Sequence, residues 1–529
     1  MCSGRASLPR TVAAHRGPNH CYTVGRVKIF VLPGQHLKNR RACLSRTLEL
    51  WLVLALAAAV VSWQLFIPPI VGLADQGDFV RILGPLGYAP QPKGPEHKYW
   101  YVTPTYVSDP TYRAPQWEEI TSELLPLRVG LFLNRLSGHA DSFNIRFIGA
   151  IHTTLFLVAL FCLFNAAATI PGYRLLWIAA VFVLTDVGYV AYWNSLYTEP
   201  ASCYWFLFFL AESISFCTVR KISIASAVRW SIFAVLWILA KTQNAPLCIP
   251  LGAYGLVLAC RNIDNRVRSG FLVGVVAVLL AGTVMYRSRL LALRMTNLYN
   301  MIFYAILPES DNPAGDLKAL GLNPDYVKYS GTLPWSDNTG VGDGRLVNAV
   351  LEKVTPITVV RFYLHRPRRL MKHMKLVLAS ALSLRPDFCG NFEKSAGKPP
   401  GAKSNSFSLW SYIHERWLSA LGVYLIGSLV LVPMVGILIL IGKHKNLHAS
   451  VRCWSELGIC LSACCAVAFF SAAFGDAWEN IKHQFQFNLL LDTCLVFGLA
   501  ALITAAARSF RAKGGRRSIG CLRLRSTAG

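Results

Sequence analysis

About ten apolar runs punctuate the chain, at Leu50–Gly72, Phe147–Ile170, Leu175–Tyr192, Ser202–Cys217, Val228–Ala240, Ala245–Cys260, Phe271–Tyr286, Leu418–Ile441, Leu457–Phe474 and Phe487–Ala507. A run of about 17–25 apolar residues suffices to cross a bilayer core as a helix. The pair 228–240 and 245–260 reads either as two short helices or as one broken helix. The pattern predicts an all-α polytopic membrane protein of about ten transmembrane helices. Two long segments, 73–146 and 288–416, interrupt the runs and are partly helical themselves. In the first, "EEITSELLPLRVGLFLNRL" (118–136) places its leucines mostly on one helical face, as in a helix lying on a membrane surface. Thr121 or Ser122 would cap it, and Pro126 predicts a break within it. In the second, residues 346–384 form a long helical pattern in which Arg361, His365 and Arg369 recur at four-residue spacing and so share a face.

Composition agrees. Hydrophobic residues make up 54% of the chain and charged residues 15%, against roughly 25% charged in soluble domains. The net charge of +26 points away from nucleic acid once it is mapped. The basic residues collect before the first run (1–47), in the loops 261–268 and 442–452, and after the last run (508–529). Ten crossings put all four on one side, as the positive-inside rule requires. Both termini are then cytoplasmic. The first run lies behind too long a leader, and is itself too long, for a signal peptide, and reads as an anchor. The expected organisation is a disordered basic leader (1–47), an N-terminal transmembrane module (48–287) with a first outer loop (73–146), a large outer loop (288–416), C-terminal transmembrane helices (417–507) and a basic tail (508–529). Of the 15 cysteines only Cys389 falls clearly in an outer loop, and no CxxC spacing occurs, so cysteine suggests neither disulfides nor a metal centre.

With this topology the unusual polar clusters surface on one face. The first run ends in "LADQGDFVR", with Asp75, Asp78 and Arg81. The third ends in "TDVGYVAYWNSLYTEP", with Asp186, Asn194, Tyr197 and Glu199. "AKTQNAP" carries Lys241, Gln243 and Asn244. "GDAWENIKHQFQFN", with Asp476, Glu479, Lys482, His483 and Asn488, precedes the last run. Ionisable groups in or beside hydrocarbon are expensive and are kept for function. One such cluster would be a capped helix end, whereas four on one face suggest a site. Transfer of a sugar from a lipid phosphate needs these parts: a carboxylate close to the acceptor hydroxyl, cations for the leaving phosphate and a groove open to the bilayer.

These motifs resemble the GT-C superfamily of integral-membrane glycosyltransferases. "ADQGDFVRI", "NSLYTEP", "KTQN" and "IKHQFQFNLLLD" together are similar to the bacterial WsfD-like glycan-biosynthesis hexosyltransferases, with Gln76 in place of an asparagine. The resemblance covers about Leu50–Ala507 in layout. It implies a hexosyltransferase of the bacterial inner membrane, with a polyprenyl-phosphate sugar as donor, a glycan or glycolipid as acceptor, membrane lipids around it and no nucleic acid. Asp78 is then the leading candidate base and Asp75 the second, the two being an i, i+3 pair if the chain is helical there. The alternative is that Asp75 only caps a turn. Glu199 would orient the acceptor, or else simply precede a helix begun by proline. Arg81, Tyr197, Lys241, Gln243, Asn244, Arg361, His365, Lys482, His483 and Asn488 are candidates for the donor phosphate or substrate. No cofactor is required; Mg or Mn would be held by Asp75, Asp78 and Glu199. Trp100, Tyr101 and Tyr106 would stack on a sugar or form an interfacial belt.

Two other readings stay open. A polysaccharide polymerase or ligase would depend on Arg361 or His365. A transporter of lipid-linked glycans would depend on the intramembrane acids Asp186 or Glu212.

Overall fold

The computed structural model describes residues 21–24, 27–30, 33–91, 99–115, 118–139, 141–219, 221–288, 291–425, 427–428, 431, 434, 437, 449–500 and 503. The tail 508–529, most of the loop 442–452, most of the leader and much of the expected span 418–441 lie outside them. The chain divides into two compact units, Met1–Val53 and Leu54–Gly529. In the first, strands Cys21–Val24 and Val27–Phe30 pair antiparallel, and the helix Pro33–Phe66 begins. All that follows concerns the second.

Six helices among the described residues are long and apolar enough to cross a membrane: Leu44–Phe66, Ile145–Ala167, Glu199–Thr218, Thr242–Arg261, Asn265–Arg287 and Val451–Gly475. The third expected span is broken into Tyr173–Leu184 and Val187–Asn194, bent by 57°. The cause is Asp186, whose side chain accepts hydrogen bonds from the backbone N–H of Gly188 (2.8 Å) and Ser411 (3.0 Å) and so starts a new helix. Counting the bent pair as one span gives seven, fewer than the ten expected. Ile224–Ile238 and Phe485–Ala500 are apolar helices of only 10–17 residues. Hydropathy finds a run's core but does not fix its helical length.

The helices pack through aromatic side chains. Trp230 and Trp237 are fully buried and meet Phe209, and Trp230 also meets Phe271, joining three helices. Asn144 caps Ile145–Ala167, accepting from Arg146 N at 2.9 Å. Asn194 donates to the carbonyls of Leu65 (2.9 Å) and Val71 (3.0 Å), tying the end of the first helix to the strand after it. Gly149 lets this happen, because a Cβ there would stand 2.2 Å from Asn194 Oδ1.

The fold is not wholly α. Val71–Leu73 pairs antiparallel with Cys389–Phe392, with a register irregularity between Gly72 and Leu73. Tyr88–Gln91, Thr105–Ser108 and Ser142–Asn144 form a three-stranded antiparallel sheet. Its centre reads "TYVS", β-branched and aromatic as strands favour. Tyr106 stacks on Phe143 inside it, so it is core and not a sugar platform. Tyr101 is buried as well.

The helix expected over 118–136 is Leu124–Leu136. Pro126 does not break it, because it sits in the first turn, where a missing N–H costs nothing. Thr121 and Ser122 do not cap it; their hydroxyls donate to the carbonyls of Ala240 (2.6 Å) and Leu236 (2.9 Å). The long pattern 346–384 is three helices, Gly344–Lys353, Pro356–Leu364 and Pro367–Ala381. Thr355 caps the second with a reciprocal capping box. Pro367 starts the third, so Arg361 and Arg369 lie on different helices and the inferred shared face does not exist.

Candidate functional site

The turn after Val71–Leu73 is built by Asp75. Its Oδ1 accepts from Gly77 N (2.7 Å) and Phe79 N (3.1 Å). Gly77 adopts a φ of 103°, a region that glycine enters at little cost. Asp75 is buried and lines no part of the cavity described next. Its geometry is that of a turn builder, and Asp78 is left facing open space.

That space is a cavity of about 1510 Å³. Asp78, Arg81, Tyr197, Glu199, Lys241, Gln243, Lys482 and His483 all line it, from four parts of the chain. Lys482 Nζ donates to Asp78 Oδ2 at 2.6 Å and also pairs with Glu479. Arg81 meets Asp78 Oδ1 at 2.7 Å and Glu119 Oε1 at 3.5 Å. Lys241 Nζ donates to Glu199 Oε1 at 2.6 Å. The Lys482 ammonium lies 5.2 Å from the Tyr197 ring centre, and the Tyr197 hydroxyl accepts from Gln76 N at 3.3 Å. Gln243 donates to the His483 carbonyl at 2.8 Å. His483 Nε2 lies 3.5 Å from Asp476. Glu479 takes a φ of 51°, uncommon for a residue with a Cβ.

Burial alone would push the Asp78 carboxyl up, but Arg81 and Lys482 overcome this and hold it well below the usual carboxylate range. Burial would likewise lower Lys482; Asp78 and Glu479 raise it above an ordinary lysine. Glu119 behaves oppositely: burial raises it, and Arg81 offsets only part.

Glu119 is a cavity residue that the sequence did not single out. Three acids in "WEEITSE" look alike but have three fates. Glu118 grips Arg113 near the surface at 2.6 and 2.8 Å. Glu119 lines the cavity. Glu123 is fully buried, held by His152 (2.6 Å) and Ala201 N (2.9 Å).

Other expected residues lie elsewhere. Asn244 is buried on Ser202 and the Trp237 carbonyl. Asn488 is buried and donates to the Ser383 carbonyl. Arg361 and His365 are exposed, and His365 Nδ1 meets the Arg361 carbonyl at 2.8 Å, an interaction within one helix end. Asp186 is a cap, and Glu212 pairs with Arg229. Asp75, Asp78 and Glu199 do not converge as a metal site; among the described residues no group of three or more His, Cys, Asp or Glu could hold a metal ion.

The cavity is polar on one part of its wall and apolar on another. Leu293, Val360, Val467, Phe470 and Phe474 supply the apolar part, three of them from the helix Val451–Gly475. A carboxylate–cation site is thus set among apolar helices, and the matching family is one of transmembrane domains. The chain belongs to the YfdI N-terminal transmembrane domain family. The match runs over residues 36–518. It makes the chain a multi-pass membrane protein of a family other than the WsfD-like group that its motifs resemble. No curated protein matches. Among solved structures the chain is similar to the archaeal oligosaccharyltransferase AglB from Archaeoglobus fulgidus, in complex with an inhibitory peptide and a dolichol-phosphate. The identity is 12% and the TM-score 0.35, over 88% of this chain and 52% of that one. The chain therefore spans about half the length of that structure.

Proposed function

We propose that this member of the family is a GT-C-type membrane glycosyltransferase. It moves a hexose from a polyprenyl-phosphate donor to a glycan or glycolipid acceptor on the outer face of the bacterial inner membrane, with both termini cytoplasmic. The observation that carries the reading is the cavity: paired carboxylates and cations share one space with an apolar wall of helix side chains. Its volume of about 1510 Å³ exceeds the roughly 300–1,000 Å³ of a site for one small ligand, leaving room for two reactants.

The geometry suggests an exchange of partners. In the free protein Asp78 is neutralised by Lys482 and Arg81. A donor phosphate competes for those cations, which then stabilise the leaving phosphate as charge develops on it. The Asp78 carboxylate, released from them, regains basicity and takes the acceptor hydroxyl's proton as the oxygen attacks C1 of the hexose. The C1–O bond to the phosphate breaks, and the anomeric carbon inverts. Glu199, held by Lys241, orients the acceptor.

The test is the surface-glycan profile of a strain lacking the gene, complemented with wild type or Asp78→Asn at matched membrane abundance. The expected result is that wild type restores a hexose and Asp78→Asn does not. Full restoration by Asp78→Asn refutes the reading.

A further inference from the structure

Three aromatic rings from three separate segments meet in the cavity wall, and the chemistry above uses none of them. Trp478 lies edge-on to Tyr304 (ring centres 5.2 Å, 79°) and to Trp335 (5.7 Å, 70°). All three line the cavity. Trp335 is 58% exposed and Tyr304 39%. Leaving so much apolar ring in contact with water forfeits burial free energy, and here the scaffold holds the rings in place.

Trp335 rides on a tight turn in which Ser336 N donates to the Leu333 carbonyl and Leu333 N to Ser336 Oγ, each at 3.0 Å. The turn is moored by the Tyr299 hydroxyl, which meets Thr332 Oγ1 at 2.6 Å and accepts from Gly340 N at 3.0 Å. Tyr304 stands on a π-helical stretch, Asn300–Ile306, a rare geometry frequent at functional sites. Trp478 immediately precedes Glu479, whose left-handed backbone is of the kind that proteins keep where it serves a site.

Polar groups stand beside the rings. Asn297, Asn300 and Asp476 line the same cavity. Asn300 Nδ2 and Trp478 N both donate to Asp476 Oδ1 at 2.9 Å. Asn300 Oδ1 has no hydrogen-bond partner among the described residues, an open acceptor of the kind that a ligand hydroxyl satisfies. Ring faces for apolar C–H surfaces, next to amides and a carboxylate for hydroxyls, match a neutral saccharide. A lipid tail has no use for the amides, and a phosphate is served by Lys241, Lys482 and His483.

We propose that Trp335, Trp478 and Tyr304, with Asn297, Asn300 and Asp476, form a subsite for a neutral saccharide, the sugar end of the acceptor. The proposal rests on the glycosyltransferase reading for the word acceptor, but the binding site stands apart from it. Trp478 and Glu479 are sequence neighbours, and Glu479 pairs with the same Lys482 that holds Asp78. The platform therefore connects directly to the reacting end of the cavity.

The test uses the full chain in nanodiscs. The probe is a panel of neutral tetrasaccharides of glucose, galactose and mannose, followed by saturation-transfer-difference NMR. At least one tetrasaccharide is expected to bind the wild type. Trp335→Ala should weaken it about tenfold, Trp335→Tyr should keep it within about threefold, and Asp78→Asn should bind as wild type does. Because Trp478→Ala risks misfolding, Trp335 on its exposed turn carries the test. Equal binding by Trp335→Ala overturns the proposal. So does a wild type that binds no member of the panel, or tryptophan fluorescence quenched by brominated lipid and unchanged by every sugar, which would mark a membrane-interface belt. If those failures coincide with an Asp78-dependent glycan, only the subsite is lost. If sugars bind as expected while Asp78→Asn restores the glycan, the subsite stands and the transferase reading falls.

Discussion

Replacing Lys482 by Gln should expose how tightly the cavity's charges are balanced. The lysine side chain is 6% exposed and serves two carboxylates, Asp78 at 2.6 Å and Glu479. At an effective dielectric of about 20, one such pair at that separation represents about 6 kcal/mol of gross attraction. Desolvation cancels much of this, and breaking a buried pair from one side typically costs about 3–5 kcal/mol. Asp78 keeps Arg81 and is 20% exposed, so the lower figure, about 3 kcal/mol, is expected. Asp78→Asn should cost less, because Lys482 retains Glu479. In the double variant the second change removes the charge that the first left stranded, so the two effects should fall short of additivity by about 1–2 kcal/mol. Unfolding in detergent can be followed with a thiol-reactive dye, since Cys203, Cys389 and Cys465 are buried in the fold. Acid adds a second reading. Asp78 is depressed in the folded chain, so its stabilisation is present above the unfolded carboxylate value of about 4 and is lost as pH falls through the folded value. Lys482→Gln should move that loss to higher pH. A variant that melts with the wild type, additive costs in the double variant, or an unmoved acid limb would each refute this account.

Other outcomes follow from the same structure. His414 is fully buried against Asp492, with Nε2 at 2.7 Å from the carboxylate. Burial pulls the imidazole down, but Asp492 and the hydrogen bonds raise it on balance. Its contribution is therefore full below about pH 6.5 and is lost as pH rises through the raised value, so melting temperatures should decline across that window in the wild type and stay flat in His414→Gln. Gly149→Ala should destabilise the chain by about 1–3 kcal/mol, because its Cβ would collide with Asn194, and chemical denaturation would read the change. Arg361→Gln combined with His365→Gln should leave the surface glycan intact, since neither lines the cavity; loss of the glycan at normal abundance would revive the polymerase reading.

Much of the site was legible because it sits at the ends of apolar runs. "QGDFVR", "NSLYTE", "KTQ" and "KH" each follow or precede such a run, and the fold brings all four to one cavity. What periodicity could not show was which acid or amide had a local duty. Asp75 is spent on two backbone N–H groups, Asn244 and Asn488 on carbonyls and a hydroxyl, and Asp186 on a helix start. Nothing in their spacing separates them from Asp78. The reverse error hid Glu119, which only the path of the chain distinguishes from Glu118. Arg361 and His365 misled because a four-residue spacing means a shared face only while one helix continues, and Pro367 begins another. The aromatic platform escaped because Tyr304, Trp335 and Trp478 come from three segments, whereas the clustered "YWYVTPTY" went largely into a sheet.

Lys482 stands 404 residues beyond Asp78, and this separation has a consequence in time. A ribosome adding about 5–20 residues per second delivers the lysine some 20–80 s after the aspartate. Throughout that interval the nascent chain carries Asp78 and Arg81 without the partner that completes the cavity's charge balance. No shorter translation product contains the finished site, so activity would be withheld until synthesis is nearly over. A chain released before residue 482 would be both silent and marked for disposal by its own unbalanced charge.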